Sequence, residues 1–124
     1  MATSTTPQLH KDILTPGDQK TYPRAGDTVI MSYTGWLYSK SKPNNRGTQF
    51  DSSIGRGLFK AKIGVGRLIR GWDEGVPTMS VGESAVLTIP GYMAYGDRGF
   101  PGLIPPGAAL VFQVELLGVE REKK

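Results

Sequence analysis

The scarcity of helix constrains this chain most. Only one stretch, Ile69-Arg70-Gly71-Trp72-Asp73-Glu74-Gly75-Val76, offers a helix of more than a turn. Ile69, Trp72, Val76 and Met79 recur three, four and three residues apart, which lines them along one helical face. Pro77 has no N–H to continue the hydrogen-bond ladder, so the helix ends near it. Gly71 and Gly75 are poor helix formers. They make sense where a neighbour packs close or where the helix is short. Taken alone, Trp72 is equally well explained as an ordinary core residue.

The rest of the chain alternates with the period of a strand. In Thr28 to Leu37, Val29, Met31 and Tyr33 fall on one face, with Ile30, Ser32 and Thr34 on the other. Phe59 to Ile63, Ser84 to Ile89 and Ala108 to Val119 repeat the pattern, and Leu9 to Leu14 reads as a first edge strand. The 17 glycines and 9 prolines in 124 residues supply many turns. Thr15-Pro16-Gly17-Asp18 has the Pro-Gly order of a type II turn. Ser39 to Gly47 is polar and rich in breakers, and reads as a solvated loop. Phe50-Asp51 precedes a turn or bulge over Ser52 to Gly57, and Pro90 to Gly107 is a long loop. This pattern predicts an α+β fold, a twisted antiparallel sheet closing over one short helix. Residues 1–8 are expected to fray, 9–120 to form one domain, and 121–124 to be a charged tail.

Several kinds of chemistry drop out. There is no cysteine, hence no disulfide framework or thiolate site. His10 is the only histidine, so a His-based triad or a multi-histidine metal site is excluded. Gly64-Val65-Gly66 begins like a dinucleotide fingerprint, but Ile69 occupies its last position and no βαβ unit follows. The net charge of +4 raises nucleic acid as a partner. The basic residues are scattered, however, apart from Lys40, Lys42 and Arg46, which argues against that role. Met1 to Lys11 lacks an apolar signal core, and no run reaches the length of a membrane span. A cytoplasmic protein without membrane attachment is expected. Asp73-Glu74 suits the positive end of a helix macrodipole. Tyr92, Tyr95, Phe100, Pro101, Leu103, Ile104, Pro105 and Pro106 crowd one loop, where they either fold back on the core or line a pocket. Asp51 either caps a turn or is a polar group set in an apolar wall.

Taken in order, the motifs resemble those of the FKBP family of peptidyl-prolyl isomerases. They are Tyr33-Thr34-Gly35, Phe50-Asp51-Ser52-Ser53, Ile69 to Val76, Met79-Ser80-Val81-Gly82-Glu83, Ala94-Tyr95-Gly96, Gly99 to Pro106, and Leu110 to Leu117. Together they cover nearly everything from Thr15 to Val119. The resemblance implies a five- to six-stranded antiparallel sheet wrapped around the helix. It also implies an apolar pocket floored by Trp72 and walled by Tyr33, Phe50, Phe59, Leu68, Ile69 and Phe112. Phe100, Leu103 and Ile104 would overhang it. The Ile69 N–H and the Tyr95 hydroxyl would donate to ligand carbonyls. Asp51 would accept from the ligand and interact with Tyr33 and Arg56. Asp51, Trp72, Tyr95 and Phe112 would carry catalysis.

Family membership further implies rotation of X–Pro bonds in peptides and proteins without metal or cofactor. It implies binding of tacrolimus and rapamycin in the same pocket and, in eukaryotes, drug-dependent engagement of calcineurin or the TOR kinase by a monomer. The sequence departs from the family in five places. Ser39 to Gly47 is longer than in minimal members, and the segment between Arg56 and Phe59 is slightly shorter than usual. Arg67 stands where an acidic or amide residue is common, Phe100 stands where histidine is frequent, and Tyr92 and Met93 do not follow the usual order of the long loop. A rival reading is a non-catalytic binding module on the same fold. The presence of Tyr33, Asp51, Trp72, Tyr95 and Phe112 together argues against it.

Overall fold

A computed structural model describes residues 8–121. The expected frayed start therefore lies, apart from the exposed Gln8, outside the described residues, as does the tail beyond Arg121. Six strands form one antiparallel sheet. They are β1 (His10–Thr15), β2 (Thr28–Tyr38), β3 (Arg46–Ser52), β4 (Phe59–Lys62), β5 (Ser84–Ile89) and β6 (Leu110–Glu120). The sheet runs β1-β5-β6-β2-β3, and β4 also pairs with β2. β2 is thus the spine. One of its edges pairs along its length with β6, and the other is shared by β4 near Thr28–Met31 and β3 near Thr34–Tyr38.

Alternation decides which face is buried. Val29, Met31 and Tyr33 of β2, Ala85, Leu87 and Ile89 of β5, and Leu110, Phe112, Val114 and Leu116 of β6 all enter one core. A strand whose side chains alternate offers every second residue to one cover, and the cover here is the helix α1 (Arg70–Gly75). A single 3-10 turn, Val76–Thr78, continues α1 and ends at Met79. The two glycines explain how so short a helix can dock. A Cβ on Gly71 would lie 2.5 Å from Ile89 of β5, and one on Gly75 would lie 3.2 Å from Leu87. The helix therefore rests its backbone directly on β5. Trp72, Val76 and Met79 fill the space alongside and are buried as their spacing predicts.

Three local readings change. Ser39 to Gly47 is not wholly loop: it holds a 3-10 turn, Pro43–Asn45, and β3 already starts at Arg46. The Arg46 guanidinium lies 4.3 Å over the Trp36 ring, so the basic cluster is split, with only Lys40 and Lys42 turned fully to solvent. Thr15-Pro16-Gly17-Asp18 is not a type II turn, because Gly17 does not take the positive φ which that turn requires. Close approach explains the glycine instead: its Cβ would meet Ser80 Oγ at 2.5 Å and Val81 O at 2.6 Å. Asp73 does more than face a dipole. Its carboxylate accepts from the Gly64 N–H at 2.8 Å and the Gly66 N–H at 3.0 Å, fastening the Gly64-Val65-Gly66 turn to the helix. Glu74 pairs instead with Arg70, one turn back, at 2.5 Å.

Candidate functional site

The concave side of the sheet and α1 meet in an aromatic cup. Trp72 forms its floor. Tyr33 from β2, Phe112 from β6 and Phe59 from β4 meet the indole edge to face, at centroid distances of 4.9, 5.0 and 5.6 Å. Phe50 from β3 meets Phe112 at 5.6 Å in the same manner. Edge-to-face pairs stabilise by about 0.5–1.5 kcal/mol beyond burial and fix ring orientation. Gly35 makes the wall possible, because a Cβ there would lie 2.6 Å from the Phe112 ring and 2.8 Å from that of Phe50.

The cup opens into a pocket of about 510 Å³, within the range of small-molecule sites. Its polar side chains are those of Tyr33, Asp51, Arg67, Arg70 and Tyr95. Asp51 stands on one wall, its Oδ2 accepting from the Tyr33 hydroxyl at 2.7 Å and its Oδ1 from Arg56 Nη2 at 2.7 Å. The Ser52 N–H also donates to Oδ1, at 2.8 Å. Arg56 reaches back to the Ser52 carbonyl as well. Across the pocket, Ile69 caps α1 in an extended conformation. Among the described residues neither its N–H nor the Tyr95 hydroxyl has a protein hydrogen-bond partner. Burial, and then the hydrogen bond to Asp51 and its charge, raise the Tyr33 pKa to about 12. Burial and the charge of Asp51 also push up that of Tyr95. Both phenols therefore stay protonated, and both are donors, across the physiological range.

The comparisons with known proteins agree with one another. The sequence profile of FKBP-type peptidyl-prolyl cis-trans isomerases matches residues 19–117. The chain belongs to that family. It is 56% identical over 113 residues to FK506-binding protein 1B of Aspergillus fumigatus, covering 90% of this chain and 94% of the relative. It is 60% identical over 107 residues to FK506-binding protein 1 of Yarrowia lipolytica, covering 86% and 93%. The corresponding Saccharomyces cerevisiae protein is 56% identical over 109 residues, covering 87% and 90%. The chain is a peptidyl-prolyl cis-trans isomerase.

The isomerase's sequence-predicted site residues divide into two groups. Tyr33, Phe50, Asp51, Phe59, Leu68, Ile69, Trp72, Tyr95 and Phe112 all line the one pocket. Arg56 does not line it and reaches it only through Asp51. Phe100 touches it through Tyr95, at a centroid distance of 5.8 Å, and is otherwise exposed. Leu103 is also exposed, whereas Ile104 is buried and anchors the long loop to the core. Leu103 and Ile104 border a separate shallow hollow with Arg98 and the loop prolines. Three residues that line the pocket were not among the predicted site residues: Arg67, noted only as a departure from the family pattern, Arg70 and Ala94. Their signal was position, since the arginines flank Leu68-Ile69 and Ala94 precedes Tyr95. No helix among the described residues is long and apolar enough to cross a membrane.

Proposed function

We propose that the isomerase rotates X–Pro bonds within the Trp72 pocket and that FK506 (tacrolimus) and rapamycin compete for the same space. One observation carries the reading. An aromatic cup has two donors at its mouth, the Ile69 N–H and the Tyr95 hydroxyl, with no protein acceptor among the described residues. A proline ring is a compact apolar disc that suits the cup, and its neighbouring carbonyls need donors.

The mechanism follows from amide electronics. Rotation breaks resonance, and the barrier is about 18–20 kcal/mol. The planar amide is more dipolar than the twisted one. Leaving water for an apolar pocket therefore disfavours the ground state more than the transition state. With the ring seated against Trp72 and one carbonyl held by the Ile69 N–H, one side of the bond is fixed while the other turns. The Tyr95 hydroxyl holds the second carbonyl. Asp51, already oriented by Tyr33, Arg56 and the Ser52 N–H, accepts from the ligand. These steps need no nucleophile, metal or cofactor.

The fungal FK506-binding relatives extend the reading to drug binding. By the same family likeness we place the protein in the cytoplasm as a monomer. Its drug-bound outer face, including the Ser39–Gly47 loop, would engage calcineurin or the TOR kinase. The test is the isomerisation rate of a short X–Pro peptide, by exchange NMR, with and without FK506. Acceleration abolished by stoichiometric drug supports one shared pocket. Acceleration that FK506 leaves unchanged, or drug binding without acceleration, separates the two activities and overturns it.

A further inference from the structure

The charges at the mouth of the pocket do not balance. Three guanidinium groups, those of Arg56, Arg67 and Arg70, stand at or beside it with two carboxylates, Asp51 and Glu74. Each carboxylate is already engaged, Asp51 by Arg56 at 2.7 Å and Glu74 by Arg70 at 2.5 Å. Arg67 lines the pocket, is exposed, and forms no ion pair or hydrogen bond among the described residues. Its backbone is not free to wander. The turn just before it is tied to α1 through the Asp73 carboxylate, at 2.8 Å from the Gly64 N–H and 3.0 Å from the Gly66 N–H. Asp73 is thereby committed to the turn, not to Arg67. Two residues beyond Arg67 lies Ile69, whose N–H is the donor assigned above to a substrate carbonyl. An unpaired cation is therefore presented by a fastened turn, beside the point where the substrate backbone is gripped.

We infer that Arg67 is a specificity-determining residue that favours substrates carrying a carboxylate side chain next to the proline. The inference rests on the isomerase pocket proposed above. The attraction is that of an exposed ion pair, so it is modest and salt-sensitive. A roughly two- to five-fold advantage in kcat/KM is the scale such pairs supply.

The experiment compares two sets of three peptides that differ only beside the proline, with Glu, Lys or Leu placed immediately before it in one set and immediately after it in the other. Wild-type protein should turn over the Leu peptide, which tests the pocket reading by itself. The Glu to Lys ratio of kcat/KM should be roughly two to five in at least one placement, and should fall toward one in 0.5 M salt. Arg67→Gln should bring the ratio close to one at low salt, and Arg67→Glu should invert it. A ratio near one in both placements, or a ratio that neither variant moves, overturns the role of Arg67 while leaving the isomerase pocket standing. Failure to turn over any of the peptides overturns the pocket reading and this inference with it.

Discussion

Two parts of this molecule are equally rich in large apolar side chains and use them in opposite ways. In the cup, Trp72, Phe112 and Tyr33 are 5%, 3% and 7% exposed. In the loop between β5 and β6, Tyr92, Phe100 and Leu103 are each about half exposed. Composition does not separate the two regions; the frame does. The cup's rings project from paired strands and a helix, so each is aimed by a ladder of hydrogen bonds. The loop holds itself together through its own backbone. Phe100 and Ile104 exchange main-chain bonds at 2.7 and 2.8 Å, and the Gly107 N–H donates to Gly96 O at 2.8 Å. Ile104 and Met93 are its buried anchors, Ala94, Tyr95 and Ala108 pack partly against the core, and Tyr92, Phe100 and Leu103 are left on display. Apolar residues in a long loop are thus of two kinds, anchors and presented surface, and residue type does not tell them apart.

The contrast can be broken most sharply at its two aromatic extremes. Trp72→Ala removes the cup floor and should cost about 3–5 kcal/mol of stability in urea unfolding, with loss of FK506 binding, whereas Phe100→Ala should cost less than about 0.5 kcal/mol. Equal costs would mean that the loop ring is as much core as the indole. Within the loop, Ile104→Ala should cost about 2–4 kcal/mol and Leu103→Ala close to nothing. A cheap Ile104→Ala would deny it the role of anchor. In the cup wall, Asp51→Val should lower turnover about tenfold, a change of about 1.4 kcal/mol in barrier, while the far-ultraviolet circular dichroism spectrum stays native. A folded variant with unchanged turnover would remove Asp51 from the site.

The mildest effect is one of pH. The pKa of Tyr33 is raised to about 12 in the fold, against about 10 for an unfolded tyrosine. Between those values the unfolded chain has released a proton that the folded chain still holds. The Tyr33 contribution to stability is therefore complete below pH 10 and is lost as pH rises toward 12. Asp51→Val removes the acceptor and the negative charge, so phenol absorbance should show Tyr33 titrating closer to 10. An unshifted titration would show that burial alone holds the proton on.

Much of the architecture was legible because its signals were periodic. Strict alternation bounded by breakers predicts β5 over Ser84–Ile89, as observed. One-sided spacing stopped by Pro77 marks the helix over Ile69 to Val76, one residue beyond α1 at each end. β3 was hidden for a physical reason. Arg46–Ser52 lies at a sheet edge, is half-exposed or exposed throughout, and pairs with β2 across two register shifts, so no face of it is consistently apolar. The Asp73 clamp was illegible because its partners are main-chain groups of glycines nine and seven residues earlier, which have no side-chain signature. For the site, family motifs named the residues that now surround one pocket. They also set Phe100, Leu103 and Ile104 over the pocket, where none of the three lines it, because which loop residues turn outward depends on which few anchors the core has room to accept.

The seat of α1 on β5 has a consequence for depth. Gly71 lets the helix backbone come so near that a single added carbon would stand 2.5 Å from Ile89. Restoring ordinary contact would move helix and strand apart by about an ångström. Trp72 is the next residue, so the indole would rise by a comparable amount and the cup would become shallower without any change to its walls. How deeply a ring can sit in this protein is thus gauged from behind, by a missing methyl group that no ligand ever meets.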